Sequence, residues 1–189
     1  MVLLYGGGHH RTPYTWDKER VSSYIRYVDT DNQSHWLFDS FLFLEIMDTG
    51  TGGANKMFAK GYNLESANQA DWTKLIDYYF QSETGIGALD ASVKEASAIL
   101  GTPRQKRQIV ISIPEPIVYQ HPEQASSSTK YWGKIDNQTL DFSNSADRIK
   151  ACKWYIDQVR AKFNEKNYQH VELAGFYWLA EKATDTRDI

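Results

Sequence analysis

A single cysteine, Cys152, stands in a chain of 189 residues. An internal disulfide and a thiolate metal cage are therefore both excluded. No apolar run approaches the length of about 20 residues that a membrane-spanning helix requires. The N-terminal Met1-Val2-Leu3-Leu4-Tyr5 is too short for a signal peptide and lacks its charged start. It reads as a strand that begins at once, as if cut from a longer protein. Basic residues are not in excess: 21 Lys and Arg against 24 Asp and Glu leave a formal net charge of -3. Without a basic field to hold a polyanionic backbone, nucleic acid is a poor partner.

Metal and nucleotide motifs are missing too. The five histidines, His9, His10, His35, His121 and His170, show neither H-x-H nor H-x-x-x-H spacing. Adjacent side chains of an extended segment point opposite ways, so His9 and His10 do not chelate one ion. Gly6-Gly7-Gly8 and Gly85-Ile86-Gly87 lack the G-x-G-x-x-G and Walker spacings. No metal and no cofactor is expected.

What the chain has in quantity is aromatic side chains. They make up 14% of it, with six Trp and twelve Tyr, a surplus that suits stacking surfaces as well as cores. The hydrophobic and charged fractions are those of an ordinary globular domain, and the length suits one domain over residues 1–189.

Four segments read as strands: 2–5, the nearly continuous apolar run 36–46, the β-branched run 108–113, and 171–178. The run 36–46 has the character of a strand buried on both faces of a parallel sheet. Residues 20–28 fit a helix or a strand. Between these segments lie three amphipathic helices. The first carries Trp72, Leu75, Ile76, Tyr79 and Phe80 on one stripe. The second spans about 85–100 and is stopped by Gly101 and Pro103. The third starts at a Ser145 cap and buries Ile149, Cys152, Ile156, Val159 and Phe163. Thr184-Asp185 is a further helix start. Residues 117–144 read as a long Ser- and Gln-rich loop, the kind that is functional or mobile.

Alternating strands and helices imply parallel strands joined by right-handed crossovers. A closed (β/α)8 barrel needs roughly 250 residues. Four strands in 189 residues therefore suggest the N-terminal half of a TIM-type barrel, with an open four-stranded sheet as the alternative.

Residues at the C-terminal ends of parallel strands converge on one mouth. Here those ends carry His10, Arg11, Tyr14 and Trp16 after the first strand, Glu45 and Asp48 after the second, Glu115 after the third, and Tyr177, Trp178 and Glu181 after the fourth. Aromatic rings stack on sugar faces, and glycoside cleavage needs two carboxyl groups across one bond. Glu45 and Glu181 are the preferred pair, with Glu115 as substitute. His10 and Arg11 would bind substrate hydroxyls, Trp16, Tyr177 and Trp178 would hold the ring, and Tyr14 is a further substrate-binding candidate. Trp132, in the polar loop, is a further stacking candidate, whereas Trp36, Trp72 and Trp154 read as core. The plain reading of any one strand-end carboxylate is a helix cap or a solvated loop charge. Strict alternation places Glu172 on one face with Ala174, Phe176 and Trp178, as a buried carboxylate or a solvated one.

The segments His10–Asp17, Phe38–Glu45, Ile113–Pro116, Cys152–Asp157 and Leu173–Trp178, in that order, resemble the Bacteroidetes domain-of-unknown-function family 4855 along nearly the whole chain. That resemblance implies a glycoside-hydrolase-like barrel, exported, and engaged in glycan utilisation in the periplasm or at the cell surface. The family pattern departs from this chain in its export signal and in the strands expected after the fourth, so a C-terminal half of the same protein is an expected partner. A glycan is the expected ligand, cleaved by a hydrolase or held by a non-catalytic binding module, with an interaction scaffold as the third reading.

Overall fold

A computed structural model of the chain describes residues 1–5, 15–48, 55–121 and 131–181. The strands are β1 (Val2–Tyr5), β2 (Arg26–Val28), β3 (Ser34–Trp36), β4 (Ser40–Leu44), β5 (Met47–Asp48), β6 (Lys56–Met57), β7 (Glu65–Ser66), β8 (Arg107–Ile113), β9 (Gly133–Ile135), β10 (Gln138–Leu140) and β11 (Val171–Trp178). The helices are α1 (Lys18–Ser22), α2 (Gln69–Tyr79), α3 (Gly85–Leu100) and α4 (Ser145–Lys166). The fold is α/β. Its main sheet has four parallel strands in the order β1-β4-β8-β11, with β1 and β11 at the edges.

The expected run 36–46 divides in two. Its first residue closes the β2–β3 hairpin, and its centre forms β4. Phe41 and Phe43 of β4 pair with Ile109 and Ile111 of β8 and face the helices. Phe43 meets the ring of Tyr79 from α2 edge-on at 5.8 Å.

Helix α2 begins at Asn68, whose side chain accepts from the backbone of Ala70 and Asp71 while Asp71 answers the Asn68 N–H, a full capping box. Helix α3 begins at Gly85, where φ is +56° and an added Cβ would lie 2.8 Å from the Tyr79 carbonyl. Only glycine fits there without strain. Helix α4 is capped by Asn144, one residue before the expected Ser145, and ends on Asn167 in the left-handed region. Its buried face runs through Arg148, Ala151, Cys152, Tyr155 and Val159, with Ile156 and Phe163 only partly covered. The stripe is thus rotated from the one expected, because Arg148 turns inward to donate from Nη1 to the Phe142 carbonyl at 2.6 Å.

The expected long loop contains a hairpin that supplies a core residue. Asp136 and Asn137 adopt φ of +52° and +63°, as a two-residue type I′ turn between β9 and β10 requires. The Gln69 side chain bonds both polar groups of the Lys134 backbone, and the Gln69 N–H donates to the Trp132 carbonyl at 2.9 Å. These bonds seat Trp132, fully buried, against Trp72, Phe142 and Trp154. The expected stacking platform is a core ring.

Strand β11 departs from strict alternation. Leu173 pairs with Ile109 and Gly175 with Val110, so Ala174 is the extra residue of a bulge. Phe176 and Trp178 therefore share the helix-side face with Leu173, packed on the core, and Arg160 of α4 lies over the Phe176 ring at 5.7 Å. Glu172 is on the other face, exposed and hydrogen-bonded to Gln108. The expected grouping of Glu172 with Phe176 and Trp178 is corrected by that single residue.

Candidate functional site

Because the four strands are parallel, Tyr5 at the end of β1 and Glu45, Glu115 and Glu181 beyond β4, β8 and β11 all lie at one end of the sheet. Their surroundings differ. Glu45 is 2% exposed. It continues the Phe41–Phe43 face of β4 toward α2, where burial, with the fields of Tyr155 and Glu45, holds the Tyr79 phenol well above the ordinary range. A pocket of about 330 Å³ opens beside it. Asp48, Asp71, Lys74, Asp77 and Tyr78 supply polar walls, and Phe58 and Leu75 an apolar one.

Four carboxyl side chains and one lysine line this pocket. Two of the four have structural duties. Asp71 Oδ2 accepts from the Asn68 N–H at 3.0 Å, and Asp77 Oδ1 accepts from Lys162 Nζ at 3.0 Å. Sequence reading missed the α2 contribution. Its signal is a polar stripe at Asp71, Lys74, Tyr78 and Gln81, stepping by three and four beside the apolar stripe of Trp72, Leu75, Ile76 and Tyr79.

Glu115 is also buried, and it is bound into the frame. Its Oε2 accepts from the Lys60 N–H at 2.8 Å, and its own N–H donates to the Phe58 carbonyl at 2.7 Å. Phe58 in turn donates its N–H to the Ile46 carbonyl at 2.8 Å. The segment through Phe58 thus clamps the ends of β4 and β8.

Glu181 stands apart. It is exposed, takes φ of +55° in a turn closed onto the Trp178 carbonyl, and accepts a hydrogen bond from the Tyr177 hydroxyl. It does not line the Glu45 pocket. Among the rings, Tyr177 lies on the sheet face opposite Phe176 and Trp178. Trp16 is buried, with its Nε1 donating to the Tyr5 carbonyl and its ring meeting Tyr24 edge-on at 5.6 Å. Asp17 caps α1 by accepting from the Arg20 N–H at 2.9 Å. His10, Arg11 and Tyr14 lie outside the described residues. Among the described residues, no group of three or more His, Cys, Asp or Glu side chains is placed to hold a metal ion.

The chain belongs to the family described as Domain of unknown function (DUF4855), which matches residues 1–189. No curated protein and no solved structure matches it. The DUF4855 chain thus carries, at one end of a four-stranded parallel sheet, a buried carboxyl that lines a pocket and a second buried carboxyl bound to the Lys60 N–H.

Proposed function

We propose that this DUF4855 domain acts on carbohydrate, as a glycoside hydrolase whose chemistry is centred on Glu45, and that its sheet is the first half of a (β/α)8 barrel. The observation that carries the reading is Glu45 itself, a carboxyl 2% exposed at a strand's C-terminal end that nevertheless lines a pocket of about 330 Å³. Charged side chains are almost never so buried without a specific reason, and a desolvated carboxyl beside a polar pocket is suited to proton transfer or to attack on an anomeric carbon.

In this reading Glu45 is nucleophile or base and Glu181 donates the proton to the leaving oxygen. Glu115 is the substitute partner, with its Oε2 held by the Lys60 N–H. Tyr177, hydrogen-bonded to Glu181, offers a ring at the rim, with Trp16 and Trp178 supporting from the core side. His10, Arg11 and Tyr14 would complete the hydroxyl contacts. A carboxyl separation of about 5 Å implies retention of configuration, and one of about 6.5–9.5 Å inversion. The glycan, by this reading, is met outside the cytoplasm.

A second reading is a glycan-binding module. It is favoured by Glu181 being exposed and away from the pocket that Glu45 lines, since binding needs no convergent carboxylates. Turnover and binding measured on a panel of glycans separate the two. Hydrolysis requires that Glu45→Gln lose turnover by a factor of at least about 100 while binding survives. Binding of wild type without any turnover selects the module. Wild-type turnover in both Glu45→Gln and Glu181→Gln refutes the assigned chemistry.

A further inference from the structure

At the other end of the sheet, about 20 Å along β8 from the Glu45 side, Arg107 begins the strand. It is 5% exposed. Its guanidinium stacks on the Trp36 ring, 4.3 Å from the centroid. No carboxylate among the described residues reaches it at salt-bridge distance, and its Nε has no hydrogen-bond partner. A guanidinium carries five N–H donors and no acceptor, and a buried one is nearly always paired. Leaving the buried Nε–H unmet costs about 1–3 kcal/mol.

A pocket of about 530 Å³ opens where Arg107 lies. Its polar lining includes two guanidinium donors, Arg107 and the exposed Arg104, with the Gln105 amide and the Thr102 hydroxyl, which can also donate. Asp39 is the one carboxylate there, and its Oδ1 accepts from its own neighbour, the Ser40 hydroxyl, at 3.0 Å. Trp36 and Pro103 give the pocket apolar walls.

We propose that this pocket binds a carboxylate carried on a small ring, an anion of monosaccharide size such as a hexuronate. The planar guanidinium fork matches a carboxylate in two parallel hydrogen bonds. Arg104 supplies a second positive charge, and the apolar walls suit the ring. Asp39 opposes the ligand and limits its affinity. The site lies apart from the Glu45 pocket and stands whether or not that pocket hydrolyses glycosides.

The test is titration with glucuronate, followed by calorimetry and by the NMR signals of Arg107 Nε–H and the Trp36 indole, with glucose and inorganic phosphate run in parallel. Glucuronate is expected to shift both signals and glucose neither. Arg104→Ala, at an exposed position, should weaken binding about 3- to 10-fold, the worth of one partly screened ion pair. Asp39→Asn should tighten it about 2- to 5-fold by removing the opposing charge. Arg107→Lys should cost at least about 10-fold, because the charge stays and the fork is lost. Should that variant not fold, the two exposed-site variants decide. Absence of glucuronate shifts, no change in either exposed-site variant, or phosphate binding as tightly as glucuronate would each overturn the assignment.

Discussion

Truncating Trp132 to Ala separates a core ring from a sugar platform. The indole is fully buried, with ring centroids of Trp72, Phe142 and Trp154 at 4.9, 5.3 and 5.5 Å. Removing so large a core side chain costs about 3–5 kcal/mol. For a domain of this size that lowers the thermal midpoint by about 10 °C. Trp132→Phe sharpens the test. The Trp132 Nε1 has no hydrogen-bond partner among the described residues, so the indole donor is buried at a cost of about 1–3 kcal/mol. Phenylalanine relieves that cost while leaving a smaller void, and its destabilisation is expected at less than half that of Ala. The assay is urea unfolding followed by fluorescence and circular dichroism. A Trp132→Ala protein as stable as wild type would refute the packing argument, all the more if it had lost glycan binding.

Alkaline pH should weaken the fold. Burial, joined at Tyr79 by the fields of Tyr155 and Glu45, raises the phenols of Tyr79 and Tyr155 far above their ordinary range, and Tyr168 is pushed up to about 12, chiefly by burial. Their protonated forms are favoured in the folded state, so the stability they contribute is complete below the unfolded value of about 10 and is lost as pH rises past it. The urea midpoint is expected to fall between about pH 9 and pH 11.5, and a midpoint constant over that interval would contradict the burial of these hydroxyls. Glu115→Ala removes the acceptor for the Lys60 N–H and loosens the link between β4 and β8. A loss of about 1–3 kcal/mol is expected, read by denaturant unfolding, and an unchanged midpoint would show that the clamp contributes nothing.

Periodicity made much of this fold legible. Helix α3 and strand β11 lie within a residue of where the apolar sequence places them, α3 because it carries one uninterrupted helical pattern. The parallel order of the main sheet followed from strand–helix alternation. What escaped the sequence was set by single residues and by tertiary contact. Ala174 adds one residue to β11 and so moves Phe176 and Trp178 to the other face, an event that leaves no mark in composition. Trp132 looked solvated because its flanks are polar, although those flanks turn at Asp136-Asn137 and form a hairpin that carries the ring inward. At the candidate site, strand-end position located Glu45. The α2 stripe from Asp71 to Gln81 was hidden by the stronger apolar stripe beside it.

The bulge at Ala174 separates the length of β11 from the orientation of its side chains. Every other residue from Val171 to Trp178 has a partner in β8, and Ala174 has none. Shortening the chain by that residue would leave each pairing and each facing as it is. What would be lost is the local bend and added twist that such an insertion imposes, and with them the aim of the strand's last turn, where the Tyr177 hydroxyl and the Glu181 carboxylate meet. The edge strand thus carries a built-in sighting device, one small side chain that serves direction and nothing else.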